Sequence, residues 1–170
     1  FAAQGEVPGY VLNQFSMDEH NGYFRIATTE WNNKWTEEGG FTSNSTNSLF
    51  IMDMNLDVVG KLENLAVGES IYSTRFMGDR VYIVTFRQID PFYVIDASNP
   101  TQPTVLGYLK IPGYSSYLHP YDETHIIGVG MENSTLKLSL FDVTNVNAPV
   151  ETAKYIVEAD YSSSNVLWDH

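Results

Sequence analysis

Three apolar runs in this chain each close on an aspartate: Ile51-Met52-Asp53, Val94-Ile95-Asp96 and Leu140-Phe141-Asp142. The aspartates stand 43 and 46 residues apart. A polar turn follows each one, and another apolar run opens after it at Val58, Val105 and Val150. The second run continues Val58-Val59-Gly60 in the first unit and Val105-Leu106-Gly107 in the second; Val150-Glu151-Thr152 stands at that place in the third. A unit of about 45 residues that recurs in register is the mark of a repeat architecture, in which each unit buries its apolar faces against its neighbours.

The runs themselves read as strands. Tyr23-Phe24-Arg25-Ile26-Ala27-Thr28 follows the hairpin dipeptide Asn21-Gly22, and Arg80-Val81-Tyr82-Ile83-Val84-Thr85-Phe86 follows Gly78-Asp79. Aromatics make up 14% of the chain and β-branched residues are frequent, which suits pleated surfaces. Turn residues recur every 8 to 12 positions or so, the spacing of an all-β sandwich, barrel or propeller. Four short strands in about 45 residues is one propeller blade. The expected fold is therefore all-β, a β-propeller fragment of about three and a half four-stranded blades. The blades run at 11–66, 67–111 and 112–157, with the first strand of the next at 161–170. The first is longer because of an insert at 31–47, rich in Asn, Thr, Ser and Gly. Each aspartate has a plain role as the acceptor of an Asx-turn.

Charge and missing residue types exclude several functions. Lys plus Arg number 9 against 21 Asp plus Glu, a net charge of -12. Such a surface repels phosphate backbones and anionic lipid, so no nucleic-acid partner is expected. The absence of cysteine rules out disulfides, thiol chemistry and Cys-ligated metals. No run of about 18 apolar residues is present, and no membrane insertion is expected. The chain opens at Phe1-Ala2-Ala3 and ends on Val166-Leu167-Trp168-Asp169-His170, which reads as a piece of something longer.

Several phrases carry a family resemblance. Asn13-Gln14-Phe15-Ser16-Met17-Asp18-Glu19-His20, Arg25-Ile26-Ala27-Thr28-Thr29 and Phe76-Met77-Gly78-Asp79-Arg80 are three of them. Thr85-Phe86-Arg87-Gln88-Ile89-Asp90-Pro91 and Pro112-Gly113-Tyr114-Ser115-Ser116-Tyr117-Leu118-His119-Pro120 are two more. Together they resemble the C-terminal β-propeller domain of secreted proteins distantly related to WD-40 repeats, found in archaea and some bacteria. The resemblance covers almost the whole chain. It implies a secreted or cell-surface location and brings no established reaction.

Propellers hold ligands at the mouth of the central channel, on the innermost strands. The repeat places these near Asn13–Ser16, Tyr72–Phe76, Tyr117–Pro120 and Ser164–Trp168. Asn13, Gln14, Arg75, His119 and Asn165 supply their polar side chains. The functional reading is an anion or sugar site at Asn13, Arg75, His119 and Asn165; the plainer one is a solvated channel wall. In the insert, Trp31, Trp35 and Phe41 lie among amides and hydroxyls, a composition suited to glycan or protein contacts. No metal ligand set emerges from the four histidines and no cofactor is expected, calcium being the one ion such an acidic chain has oxygens for. Asp53-Met54-Asn55-Leu56-Asp57 has the opening of a calcium loop but lacks its central Gly and late Glu.

The sequence thus points to a secreted, non-enzymatic binding or scaffold module for a glycan or a cell-surface protein. The alternative is a secreted carbohydrate hydrolase using channel carboxylates such as Glu30, Glu37, Glu38 or Asp90. Open blade edges lead to a further expectation, that the chain pairs with a second copy as a homodimer.

Overall fold

The structure, a computed structural model, describes residues 2–35, 39–86, 90–159 and 162–167. Twelve strands form three four-stranded antiparallel sheets among the described residues, with no α-helix. Blade 1 holds β1 (Met17–His20), β2 (Tyr23–Trp35), β3 (Phe41–Met52) and β4 (Val58–Leu65). Blade 2 holds β5 (Ser70–Met77), β6 (Arg80–Phe86), β7 (Asp90–Asp96) and β8 (Thr104–Ile111). Blade 3 holds β9 (Tyr114–Pro120), β10 (His125–Glu132), β11 (Thr135–Asp142) and β12 (Val150–Ile156). Within each blade the strands pair in sequence order, as a propeller requires.

Turn chemistry fixes these registers. Asn21 and Gly22 take φ of 53° and 78°, so β1 and β2 join through a tight turn of the hand that matches strand twist. The three repeated aspartates occupy one place, at the end of the third strand. Asp53 Oδ1 accepts the N–H of Asn55 at 2.8 Å, Asp96 that of Ser98 at 3.0 Å and Asp142 that of Thr144 at 2.8 Å. Asp53 also accepts from the Asp57 N–H at 3.1 Å, so the calcium-like opening is a turn held by its own backbone.

The blades pack through their faces. Ala27, Leu49, Ile51 and Leu65 of blade 1 meet Ile71, Val81, Ile83 and Ile95 of blade 2 in one core. Tyr82, Val84, Phe92 and Val94 on the other face of blade 2 meet Leu118, Ile126 and Phe141 of blade 3. Phe92 stacks on Phe141 at 4.6 Å between ring centroids and on Tyr82 at 5.7 Å. Each such buried apolar side chain stabilises the interface by about 1.5–3 kcal/mol. The outward face of blade 1 carries a third cluster, Ile26, Phe50 and Met52, covered by Val7 from the N-terminal segment. That segment is tied down where Tyr10 and Thr29 exchange backbone hydrogen bonds of 2.8 and 3.0 Å.

A close approach recurs at both interfaces. Gly60 on β4 lies opposite Ile51, beside a bulge, and a Cβ there would overlap the Pro100 carbonyl in the β7–β8 turn. Gly107 on β8 lies opposite Val94, also beside a bulge, and its Cβ would sit 2.6 Å from the carbonyl oxygens of Val146 and Asn147 in the β11–β12 turn. Blades 1 and 2 thus each receive the third-to-fourth-strand turn of the next blade on a residue that has no side chain. In blade 3 the sequence placed Thr152 at this position. Pairing puts Ala153 there instead, opposite Leu140, because the bulge that follows drops Thr152 from the ladder.

Two expected strands are turns. Gln14–Ser16 form a short 3-10 turn whose cap is Asn13, and β1 begins only at Met17. Asn165–Leu167 form another 3-10 turn where the next blade's first strand was expected; residues 160–161 and 168–170 of that stretch lie outside the described residues. In the first case the Asn13 carboxamide accepts the Phe15 N–H at 3.0 Å, which closes the turn in place of a ladder bond. The insert is likewise no loop: β2 and β3 run on as a paired hairpin from Glu30 opposite Thr46 out to Trp35 opposite Phe41.

Candidate functional site

The innermost strands of blades 2 and 3 run side by side, and Ser73 Oγ donates to the Ser115 carbonyl at 2.7 Å. Arg75 on β5 reaches across the same seam. Its Nε donates to the Leu118 carbonyl at 2.7 Å, and its guanidinium lies 4.0 Å from the Phe15 ring of blade 1 and 5.2 Å from the Tyr117 ring of blade 3. Tyr117 in turn shares a hydrogen bond of 3.2 Å between its hydroxyl and His119 Nδ1, with the two rings stacked. One cation therefore clamps three blades. Burial lowers the Arg75 pKa below its ordinary value, and Tyr117 opposes the shift.

Arg75 and His119 thus meet, through Tyr117. Asn13 spends its carboxamide oxygen on the Phe15 N–H, and Asn165 is exposed on the second 3-10 turn.

At the end of the inner strands where Asn13 sits, two clefts meet. One of about 250 Å³ is lined by Leu12, Asn13, Ile71, Tyr72, Ser116 and Leu167. The other, about 260 Å³, is lined by Tyr10, Val11, Leu12, Thr29, Trp31, Ser70 and Ile71. They share Leu12 and Ile71, so the two clefts lie side by side between the base of the β2–β3 hairpin and the inner strands. Tyr10 is 74% exposed and Trp31 51%, and among the described residues neither wall carries a charged side chain. Rings beside hydroxyls and one amide suit a neutral ligand that offers both C–H faces and hydroxyl groups.

A buried polar node holds this groove. Asn47 on β3 is fully buried; its amide donates to the Leu65 carbonyl at 3.0 Å and accepts from Thr29 Oγ1 at 2.7 Å. Thr29 Oγ1 also accepts the Ile71 N–H at 3.1 Å. The hairpin base, the blade 1 to blade 2 link and the groove floor are therefore one hydrogen-bonded unit, costly to disrupt because each lost bond leaves a buried partner unsatisfied. Farther out, Trp35 and Phe41 stand 78% and 55% exposed with their rings 5.2 Å apart. Glu37 and Glu38, named for hydrolysis, lie outside the described residues, as does the side chain of Asp90.

Among the described residues no group of three or more acidic or histidine side chains is arranged to hold a metal ion. No helix of the described residues is long and apolar enough to cross a membrane.

Of the residues that line these clefts, the sequence reading named Trp31 and Asn13 as candidates and did not name Tyr10, Leu12 or Tyr72. One signal was present: Val7-Pro8-Gly9-Tyr10 repeats Ile111-Pro112-Gly113-Tyr114, which leads into an inner strand.

The chain matches the model of the family described as Beta propeller domain over residues 1–170, and it belongs to that family. It is 48% identical over 164 residues to an uncharacterized protein of Archaeoglobus fulgidus, an alignment covering 96% of this chain and 24% of the relative. It is 47% identical over 173 residues to an uncharacterized protein of Methanocaldococcus jannaschii, covering 97% and 26%. The chain spans about a quarter of the length of these curated relatives.

Proposed function

We propose that this propeller segment is a binding module at the outer surface of the cell that takes a neutral glycan, or a protein partner, in the groove beneath the β2–β3 hairpin. One observation carries the reading: two neighbouring clefts are walled by Tyr10, Trp31 and Tyr72 with Asn13, Ser70 and Ser116, and among the described residues by no charged group. Exposed rings give flat faces for sugar C–H groups, and amide and hydroxyl groups orient the rest. The strongly acidic chain repels polyanions, which favours a neutral ligand over nucleic acid. Secretion, and distant kinship to WD-40 repeats, rest on the sequence resemblance and fit a cysteine-free, acidic domain. The hydrolase reading needs two facing carboxylates, and the described residues of the two clefts supply none to support it.

A panel of neutral hexose and N-acetylhexosamine oligosaccharides, screened on an array and followed by tryptophan fluorescence, tests the proposal. At least one is expected to bind, with Trp31→Ala weakening binding tenfold or more, about 1.4 kcal/mol, and leaving the melting temperature unchanged. Binding that survives Trp31→Ala and Tyr10→Ala together, or a panel without a binder, would overturn the glycan reading.

A further inference from the structure

Resting on the glycan reading of the two clefts, we infer that the ligand is a linear oligosaccharide and that the extended β2–β3 hairpin holds its outer half. The sugar chain leaves the clefts at Trp31 and runs along one side of the hairpin to Trp35 and Phe41.

Register decides which side chains share that side. Strands β2 and β3 pair without a shift from Phe24 opposite Met52 to Trp35 opposite Phe41. Residues directly opposite one another point the same way, and alternate residues along a strand share a face. Trp31 with Ser45, Asn33 with Ser43 and Trp35 with Phe41 therefore line one side. It is the side turned towards blade 2, because lower on the same face Ala27 and Leu49 enter the core shared with that blade and Thr29 Oγ1 accepts the Ile71 N–H. The other side carries Glu30, Asn32, Lys34, Thr42, Asn44 and Thr46: both charges of the described hairpin and no ring. Folding does not call for this asymmetry. β4 pairs with β3 no farther out than Asn47 opposite Leu65, and Asn32, Asn33, Lys34, Thr42, Ser43 and Asn44 are exposed, so the outer hairpin shows both faces to solvent. A cross-strand pair such as Trp35 with Phe41 steadies a hairpin by about 0.2–1 kcal/mol on whichever face it stands; it gives Trp31 no reason to stand there too.

The chemistry of that side selects the occupant. Trp31 also walls the cleft with Ser70 and Ile71, so the cleft and the hairpin face have a residue in common. Trp35 lies four residues farther along the same strand, about 13 Å away. One sugar ring does not span that distance, so a glycan that meets both rings is a chain. Between them stand the Asn33 carboxamide and the Ser43 hydroxyl. Rings at the two ends offer flat surfaces to pyranose C–H groups, and the polar rung between offers partners to their hydroxyls. A bilayer fits poorly, because a polar rung interrupts the rings and Glu37 and Glu38 stand in sequence between Trp35 and Phe41. A polyanionic chain is opposed by the net charge of -12.

Isothermal titration of the full-length protein with cello-, manno- and N-acetylated chito-oligosaccharides, each from monomer to hexamer, tests this. In a series that binds, affinity is expected to rise at least tenfold from dimer to hexamer. Trp35→Ala with Phe41→Ala should remove that gain and leave the dimer's affinity unchanged, whereas Trp31→Ala weakens every length. These rings also steady the hairpin, so a pair of neighbouring substitutions repeats the test without touching them. Asn33→Arg lays a bulky side chain across the track and is expected to weaken the hexamer at least tenfold; Asn32→Arg, on the other side, leaves it within about twofold. Affinity that does not grow with length while binding still depends on Trp31, or equal effects of the two asparagine substitutions, overturns the hairpin face and leaves the cleft reading standing. A protein that binds no member of any series overturns both.

Discussion

Replacing Gly107 by alanine puts a methyl group in place of one hydrogen on a strand, normally a small gain. Fewer unfolded conformations favour the variant by about 0.4–1 kcal/mol when the backbone accepts it. Here the new carbon would lie 2.6 Å from two carbonyl oxygens and 2.7 Å from the Asn147 carbonyl carbon. Ordinary carbon–oxygen contacts are about 3.3 Å or longer. The β11–β12 turn must therefore retreat by about 0.7 Å, and a gap of that size forfeits a quarter to a half of the dispersion attraction across it. Val143, 3% exposed, and Val146 move with the turn out of the core shared by blades 2 and 3. Overpacking of this kind costs about 1–3 kcal/mol, so Gly107→Ala is expected to destabilise by about 1–2 kcal/mol net. For a domain of this size that is a fall of about 2–8 °C in melting temperature. Ala153→Val is the control, at the same register of blade 3, where no turn is seated; in the 170-residue chain it is expected to stay within about 0.5 kcal/mol of the parent. Urea unfolding followed by tryptophan fluorescence measures both. A Gly107→Ala chain as stable as the parent, or an Ala153→Val chain equally damaged, would refute the repeated-seat argument.

Two further outcomes follow from the polar groups. Arg75→Met removes the hydrogen bond to the Leu118 carbonyl and the cation between the Phe15 and Tyr117 rings; a loss of about 1.5–3 kcal/mol is expected, and a melting temperature equal to the parent's would show that the clamp is ornamental. The turn carboxylates govern acid stability. Asp142 is held below the ordinary carboxylate range by its hydrogen bonds from Thr144, and Asp122 by the Thr124 backbone N–H; Asp96 is pushed up by burial but more strongly down by Ser98 and Arg80. Groups with depressed pKa values stabilise the fold when ionised, an effect present above about pH 4 and lost as pH falls through their folded values. The urea midpoint should accordingly drop between pH 5 and pH 3, and Asp142→Asn, which keeps the acceptor without the titration, should shrink the drop; a midpoint that stays level or rises on acidification contradicts this.

How much of this was legible in the sequence depends on whether a residue's role is local. Asp53, Asp96 and Asp142 cap turns two residues ahead of themselves, so their spacing alone announced the blades. Gly60 and Gly107 were visible as a pattern, but their reason lies 40 residues downstream, in a turn that no local rule connects to them. That is why the third such position was misplaced at Thr152: without a glycine to mark it, only the bulge between Leu140 and Phe141 decides the register, and a one-residue slip in a strand exchanges its two faces. The inner ring shows the same limit. Polar residues were sought there because mouths bind ligands, yet Arg75 packs on Phe15 and Tyr117 and donates through Nε to Leu118, partners from the blades on either side. The groove instead lies where a tyrosine of the N-terminal segment is pinned to Thr29, beside a hairpin braced by Asn47. In a repeat fold every blade needs clamps and seats in the same places, so residues that recur from unit to unit serve assembly. Trp31 and the extended β2–β3 hairpin have no counterparts in blades 2 and 3, and it is on such unrepeated features that a ligand-specific surface has to be built.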